Sequence, residues 1–277
     1  MTLQCDDQPG IVHAATTAIV EVNGNILEND QFTDPVTNLF CMRTRFESPA
    51  SETEDVRSRI AAGLSKFAPT VGLRPENLRR RVLIMVSSSE HCLADLLYRW
   101  DIGDLPIDIV AVVSNHADVA PLVARYGIPF KEIRVTAATK FAAEAQLRDL
   151  VNNLEVDFVV LARYMQVLSL ELCDEMRGRI VNIHHSFLPG FKGARPYHQA
   201  YERGVKLIGA TAHFVTGDLD EGPIIDQDVI RVSHARTTSD LVALGRDVER
   251  LVLARAIKLI AEDRVALVGK RTVIFSQ

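Results

Sequence analysis

The chain has 277 residues, 47% hydrophobic and 24% charged, with a formal net charge of −5. This composition excludes a disordered or fibrous chain and leaves room for two domain cores. A negative balance without any long basic run argues against nucleic acid or an anionic membrane as the main partner. Cys5, Cys41, Cys92 and Cys173 lie far apart with no CxxC pair, so buried or inert thiols in a reducing cytosol are expected. Asp6 and Asp7 interrupt the first residues before a signal-type apolar region develops, and no apolar run reaches spanning length. A cytoplasmic protein is expected.

Residues 2–5 read as a short strand, and Asp7-Gln8-Pro9-Gly10 as a turn whose backbone Pro and Gly set. Ile11, Val12, Ala15, Ile19 and Val22 follow helical spacing, and Asn23-Gly24-Asn25 supplies residues that tolerate a left-handed cap. Residues 26–32 and 38–46 alternate like strands around Asp34-Pro35, and 52–67 forms a second helix with Val56, Ile60, Leu64 and Phe67 on one face. Residues 68–75 read as a linker between two domains, 1–72 and 80–277.

The rhythm then changes. Continuous apolar strands at 82–86, 107–113, 158–161 and 180–183 alternate with helical segments near 91–100, 117–126, 138–153 and 197–203. That alternation predicts a mostly parallel sheet covered on both faces. Longer strands at 207–215 and 224–232 flank the loop 217–222, a long helix spans 239–262, and 265–275 reads as a hairpin turned at Gly269-Lys270.

The chemistry gathers in 180–227. Side chains alternate along a strand, so Asn182 and His184 project to one side of its carboxyl end, where open α/β sheets bind ligands. Pro189-Gly190 and Gly193 follow at once. An amide donor beside an imidazole suits a carbonyl substrate; the bland alternative is a polar strand end with an exposed histidine. His185 points the opposite way, to a supporting or a packing role. Asp220 lies in Asp-Leu-Asp-Glu-Gly, where an Asx turn is the plain alternative. Beside His184 its carboxylate would favour the imidazolium and align it. His213 sits inside a strand, either orienting the site or as a satisfied core histidine. His13, His91, His116, His198 and His234 lack such company and read as surface or packing residues. No GxGxxG follows the strand at 82–86, and no GxxxxGK[ST], HExxH, GxSxG or zinc-type Cys/His spacing occurs.

Asn182-x-His184 with a distant Asp220 in its Asp-x-Gly loop resembles the folate-dependent formyltransferase superfamily, over roughly residues 80–277. Within it, Leu161-Ala-Arg-Tyr-Met165-Gln166-Val167-Leu168 resembles the segment that lines the folate pocket, to which Gly217 and Asp218 add; its bland alternative is a strand followed by a helix start. Position 166 is often arginine in the glycinamide ribonucleotide transformylases and is Gln166 here. Those transformylases present a Gly-rich turn to a phosphate after the first strand of this unit. Ser87-Ser88-Ser89-Glu90 stands there instead, and Glu90 adds repulsion, unless it merely favours a helix start.

Residues 1–70, entered by Asp7-Gln-Pro-Gly-Ile-Val, resemble an ACT domain of βαββαβ order. The resemblance implies an amino-acid effector, glycine by preference, and a homo-oligomer. Residues 7–12 and 23–26, among them Asp7, Pro9, Gly10, Ile11 and Asn25, would line that site or a subunit interface. The pairing of the two parts is similar to the formyltetrahydrofolate deformylase family, as are Asn182-Ile-His-His-Ser, Pro196-Tyr-His-Gln-Ala-Tyr-Glu-Arg-Gly-Val-Lys and Asp220-Glu-Gly-Pro-Ile-Ile. It implies an α/β chain: a ferredoxin-like ACT domain, then a Rossmann-like formyltransferase-type domain. It also implies hydrolysis of 10-formyltetrahydrofolate to formate and tetrahydrofolate, balancing one-carbon pools and supplying formate for purine synthesis. Asn182 and His184 would act on the formyl oxygen and Asp220 on His184, without metal or tightly bound cofactor. The alternatives are transfer of the formyl group to an amine, and a non-catalytic sensor of folate and amino acid.

Overall fold

Residues 1–49, 53–190 and 196–275 are described by the computed structural model, so Glu52 and Gly193 lie outside the described residues. The chain divides into two units, Met1–Leu78 with Glu262–Gln277, and Arg79–Ala261.

The first unit runs β1 (Thr2–Asp6), α1 (Ile11–Glu21), β2 (Asn25–Thr33), β3 (Leu39–Glu47), α2 (Thr53–Gly63), a 3-10 turn (Ser65–Phe67) and β4 (Thr70–Gly72). Its sheet has the order β2-β3-β1-β4 with every neighbour antiparallel, so βαββαβ describes it. Gly10 takes the left-handed φ of 95° at which the turn enters α1, a conformation glycine adopts without a Cβ penalty. The helices bury Ile11, Ala15, Ile19, Val56 and Ile60 against Leu3, Phe40 and Met42. Each large aliphatic group so buried contributes about 1.5–3 kcal/mol. The expected linker at 68–75 holds β4, which pairs with Thr2–Gln4 of β1.

The second unit contains β5 (Arg80–Val86), α3 (His91–Asp101), β6 (Ile107–Ser114), α4 (Ala120–Ala124), β7 (Phe130–Glu132), α5 (Lys140–Asn153), β8 (Phe158–Leu161), α6 (Leu170–Glu175), β9 (Ile180–His184), α7 (Pro196–Glu202), β10 (Leu207–Phe214), β11 (Ile224–Arg231) and α8 (Thr238–Ala261). Seven strands form one sheet in the order β11-β10-β9-β8-β5-β6-β7. The pairs from β9 through β7 are parallel, and β10 turns antiparallel against both its neighbours. Helices α5 and α6 cover one face through Leu147, Val151 and Leu172, joined by Met176 just after α6, which pack on Leu83, Met85, Val159 and Leu161. Helices α3 and α7 each adjoin α8, which lies along β10 and β11. After β5 the chain moves outward through β6 and β7, then returns to β8 on the other side of β5. The order of strands therefore switches between β5 and β8, the place where such sheets open a ligand crevice.

The closing hairpin β12 (Val265–Val268) and β13 (Arg271–Ile274) belongs to the first unit, which corrects the expectation that 80–277 forms one domain. Val268 and Phe275 pack on Cys41, the Gln4 amide donates to the Leu267 carbonyl at 3.0 Å, and Arg271 clasps the Asp34 carboxylate at 2.7 and 2.9 Å. All four cysteines are free and buried.

Candidate active site

Ile180, Val181 and Ile183 bury β9 between β8 and β10, and side chains alternate along the strand. Asn182 and His184 consequently share a side at its carboxyl end. The antiparallel pairing of β10 puts His213 directly opposite Asn182, beside a register shift at Ala212/His213 in the pairing of β10 with β11. His213 Nδ1 lies 2.9 Å from the Phe214 carbonyl oxygen and must donate to it. Its Nε2 then offers a lone pair, which accepts from the Asn182 amide nitrogen at 3.2 Å. Burial, the leading cause, pushes the His213 pKa down and keeps the ring in this neutral form. The remaining Asn182 N–H is left for another acceptor.

Asp220 arrives from the loop between β10 and β11. Its backbone takes the left-handed φ of 57°, which Asp tolerates better than most residues. Two residues on, a Cβ on Gly222 would stand 1.7 Å from the Phe214 carbonyl oxygen, so only glycine lets the loop cross the end of β10. The loop brings Asp220 Oδ1 to 3.1 Å from His184 Nδ1 and to 3.9 Å from His213 Nε2. The side chains of His184 and Asp220 are only 4% and 8% exposed, so water screens their pairing little. Asn182, His184, His213 and Asp220 thus converge.

His185 faces away from Asp220, with its ring centroid 6.0 Å from that of Tyr197 and 5.2 Å from that of His184. Burial first, and the Arg163 charge second, push its pKa down to about 3. Behind it lies a polar network that the sequence pattern concealed. Glu249 of α8, 1% exposed, accepts from the Tyr197 hydroxyl at 2.6 Å and from His91 Nε2 at 2.8 Å, and Arg163 Nε lies 3.4 Å away. Desolvation works to raise the Glu249 pKa, but the His91 bond, the Arg163 charge and the Tyr197 bond outweigh it and hold it below the ordinary value. His91, expected at the surface or in packing, is therefore a hydrogen-bond partner of Glu249. The only advance signal was a lone Glu on the apolar stripe of α8, beside Val248 and Val252.

Gln166, Val167 and Leu168 line a small cavity with Met85, Tyr164 and Glu144. Met165 is not among its lining residues; the residue is 57% exposed, and its N–H donates to Ser87 Oγ at 3.0 Å. Leu170 joins this segment to the Asp220 loop, for a Cβ on Gly217 would stand 2.2 Å from Leu170 Cδ1. Asp218, exposed, accepts through its carbonyl from Thr216 Oγ1 and from the Glu221 N–H. In the first unit Asp7, Gly10 and Ile11 line a pocket, whereas Pro9 and Asn25 do not. Gln31 and Thr33, at the opposite end of β2 from Asn25, take that place.

A sequence profile described as formyl transferase matches residues 80–257. A formyltetrahydrofolate deformylase of Corynebacterium sp. (strain P-1) is 49% identical over 276 residues, covering 99% of this chain and 96% of that protein. The chain belongs to the formyltetrahydrofolate deformylase family. A crystal structure of a formyltetrahydrofolate deformylase from Burkholderia mallei ATCC 23344 superposes with a TM-score of 0.95 at 49% identity, covering 99% of this chain and 98% of that one. A glycinamide ribonucleotide transformylase from Symbiobacterium toebii shares the fold at a TM-score of 0.68 and 31% identity, covering 75% of this chain and 98% of its own.

One further group in this deformylase-family chain has metal-ligand chemistry. Ligand atoms of His91, Cys92 and Glu249 lie within 4.8 Å of one another. They suit a divalent ion poorly, because Tyr197 and His91 already occupy the Glu249 oxygens and a guanidinium stands beside them. Burial also pushes the Cys92 pKa well up, against the thiolate a metal needs. Among the described residues no helix is long and apolar enough to cross a membrane.

Proposed function

We propose that the chain hydrolyses 10-formyltetrahydrofolate to formate and tetrahydrofolate in the cytoplasm, balancing one-carbon pools and supplying formate for purine synthesis. The observation that carries this is the His184–Asp220 pair beside the Asn182 amide: two donors at one strand end, with a carboxylate behind one of them. N10 of the folate is anilinic, so its formamide is more activated than an ordinary amide. The second Asn182 N–H meets the formyl oxygen as it becomes an oxyanion. The imidazolium of His184, held by Asp220 at Nδ1, donates to the same oxygen from Nε2. Asp220 also helps to orient water. The water oxygen bonds to the formyl carbon and the C–N10 bond breaks; of the two protons that water gives up, one goes to N10 and the other to solvent as formate leaves. Neither a metal nor a tightly bound cofactor is required. The folate rests against Met165, Gln166, Val167, Leu168, Gly217 and Asp218, a reading supported by the contact of Gly217 with Leu170.

The first unit acts as an ACT domain in this proposal, with glycine as effector. Its βαββαβ order and a pocket of about 420 Å³ lined by Asp7, Gly10, Ile11, Gln31 and Thr33 support that. The edge strand β2 exposes Leu27 and Phe32, which supports pairing of copies into a homo-oligomer. Calorimetry with glycine tests the effector; heat from no amino acid leaves the unit a scaffold only. The central experiment incubates the chain with 10-formyltetrahydrofolate without any amine and follows formate. Release supports hydrolysis, release only after an amine is added makes the chain a transferase, and no release makes it a sensor.

A further inference from the structure

We infer that the buried network of Arg163, Glu249, His91 and Tyr197 closes the acceptor side of the site, so that water rather than an amine reaches the formyl carbon. The inference rests on the proposed hydrolysis and adds what selects the nucleophile. The fold does not choose it, since a glycinamide ribonucleotide transformylase shares that fold.

A second ligand in an open α/β sheet belongs in the crevice at the topological switch. Here that crevice lies between the carboxyl ends of β5 and β8, and it is bridged: the Ser87 N–H donates to the Arg163 carbonyl at 3.3 Å. Arg163 holds a left-handed φ of 63°, a conformation an L-residue keeps only when its surroundings impose it. Its Nε and Nη1 are buried and have no hydrogen-bond partner among the described residues. The guanidinium is held by the Glu249 charge, 3.4 Å from Nε, rather than by directed hydrogen bonds from these two nitrogens.

The start of α3 gives the same answer from another element. Helix N-termini attract anions, yet the first residue of α3, His91, grips the protein's own Glu249 carboxylate. A cation at the strand end and a helix N-terminus would together hold an anionic acceptor; here Arg163 and the side chain of the first α3 residue both face an internal anion instead. Gly245 makes the closure tight. A Cβ there would stand 2.1 Å from the Tyr197 ring, so the ring lies flush on α8 and its hydroxyl reaches Glu249 one turn later.

Network and catalytic residues sit on opposite sides. Tyr164 and Gln166 line the cavity beside α5, while Arg163 turns toward α8. His184 pairs with Asp220, while His185 lies against Tyr197. The two sides meet at the His184–His185 contact. Attack by an amine would form a C–N bond, break C–N10, move a proton to N10 and release a formamide; only the nucleophile differs from hydrolysis.

Arg163→Gly in the full chain tests this, since glycine is at ease at φ 63° and the backbone is spared. Hydroxylamine and O-phosphoethanolamine serve as probe amines, and formylated amine is measured against formate. The formylated share is expected to rise about tenfold over wild type, with the KM for folate within about twofold. His91→Ala, which frees the α3 N-terminus, is expected to favour the phosphate-bearing amine over hydroxylamine, and it carries the test if Arg163→Gly does not fold. Folded variants that lose turnover with an unchanged partition overturn the network's role and leave hydrolysis standing. Wild type that releases no formate overturns the hydrolysis itself.

Discussion

Asn182 and His213 face one another across β9 and β10, and their 3.2 Å contact fixes which way the Asn182 amide points. His213 can accept only because its other nitrogen is committed to the Phe214 carbonyl. Asn182→Ala is expected to lower kcat by about 10²–10³, the cost of one lost oxyanion donor. His213→Phe removes the acceptor but leaves the amide, so a smaller fall in kcat with an unchanged KM is expected. Steady-state kinetics separate the two. Equal losses in both variants would show that His213 does more than orient.

Asp220→Asn isolates the charge behind His184. Asn is isosteric with Asp and tolerates the left-handed φ of 57°, so the loop is expected to keep its course. Turnover is expected to fall by about 10³–10⁴, by analogy with a carboxylate that fixes the tautomer of a catalytic histidine. Circular dichroism and folate binding should match wild type. Full turnover in this variant, or in His184→Ala, would remove both residues from the mechanism.

The sequence made the parallel strands and the convergence of Asn182, His184 and Asp220 legible, because buried strands read as apolar runs and the polar groups interrupted one of them. What it hid depends on contacts between distant residues. Thr70–Gly72 is a three-residue strand recognisable only once it pairs with β1 and Val71 packs on the core of its unit. The hairpin at 265–274 follows α8 directly in sequence, yet Cys41, Gln4 and Asp34, more than two hundred residues earlier, decide where it packs. Glu249 falls on an apolar helical stripe like any core position, and nothing local reveals that His91, Tyr197 and Arg163 surround it.

Stability should fall in mild acid through His185. The folded protein holds this ring neutral down to about pH 3, whereas the unfolded chain protonates it below its ordinary value of 6.5. The unfolded state therefore binds more protons across that interval, and the contribution, complete above 6.5, is lost progressively toward 3. Between pH 7 and 5 the loss from this one group amounts to about 2 kcal/mol. His213, also pushed down by burial, adds in the same direction. Urea denaturation of wild type and His185→Gln at both pH values should show the variant losing less; parallel losses would rule out His185 as the titrating group.

Two glycines of the Asp220 loop should respond differently to alanine. At Gly217 the obstacle is the Leu170 side chain, 2.2 Å from the new Cβ, and it can rotate aside. At Gly222 the obstacle is the Phe214 carbonyl oxygen at 1.7 Å, part of a backbone pinned by the Phe214 N–H bond to the Pro223 carbonyl. The same oxygen accepts from His213, so moving it also disturbs the neutral tautomer that holds Asn182. Gly222→Ala is expected to cost about 2–4 kcal/mol of stability and nearly all turnover, while Gly217→Ala costs about 1 kcal/mol and raises KM more than it lowers kcat. Thermal melting beside kinetics decides it, and a Gly222→Ala protein as stable and active as wild type would mean that the loop reaches His184 along a different course.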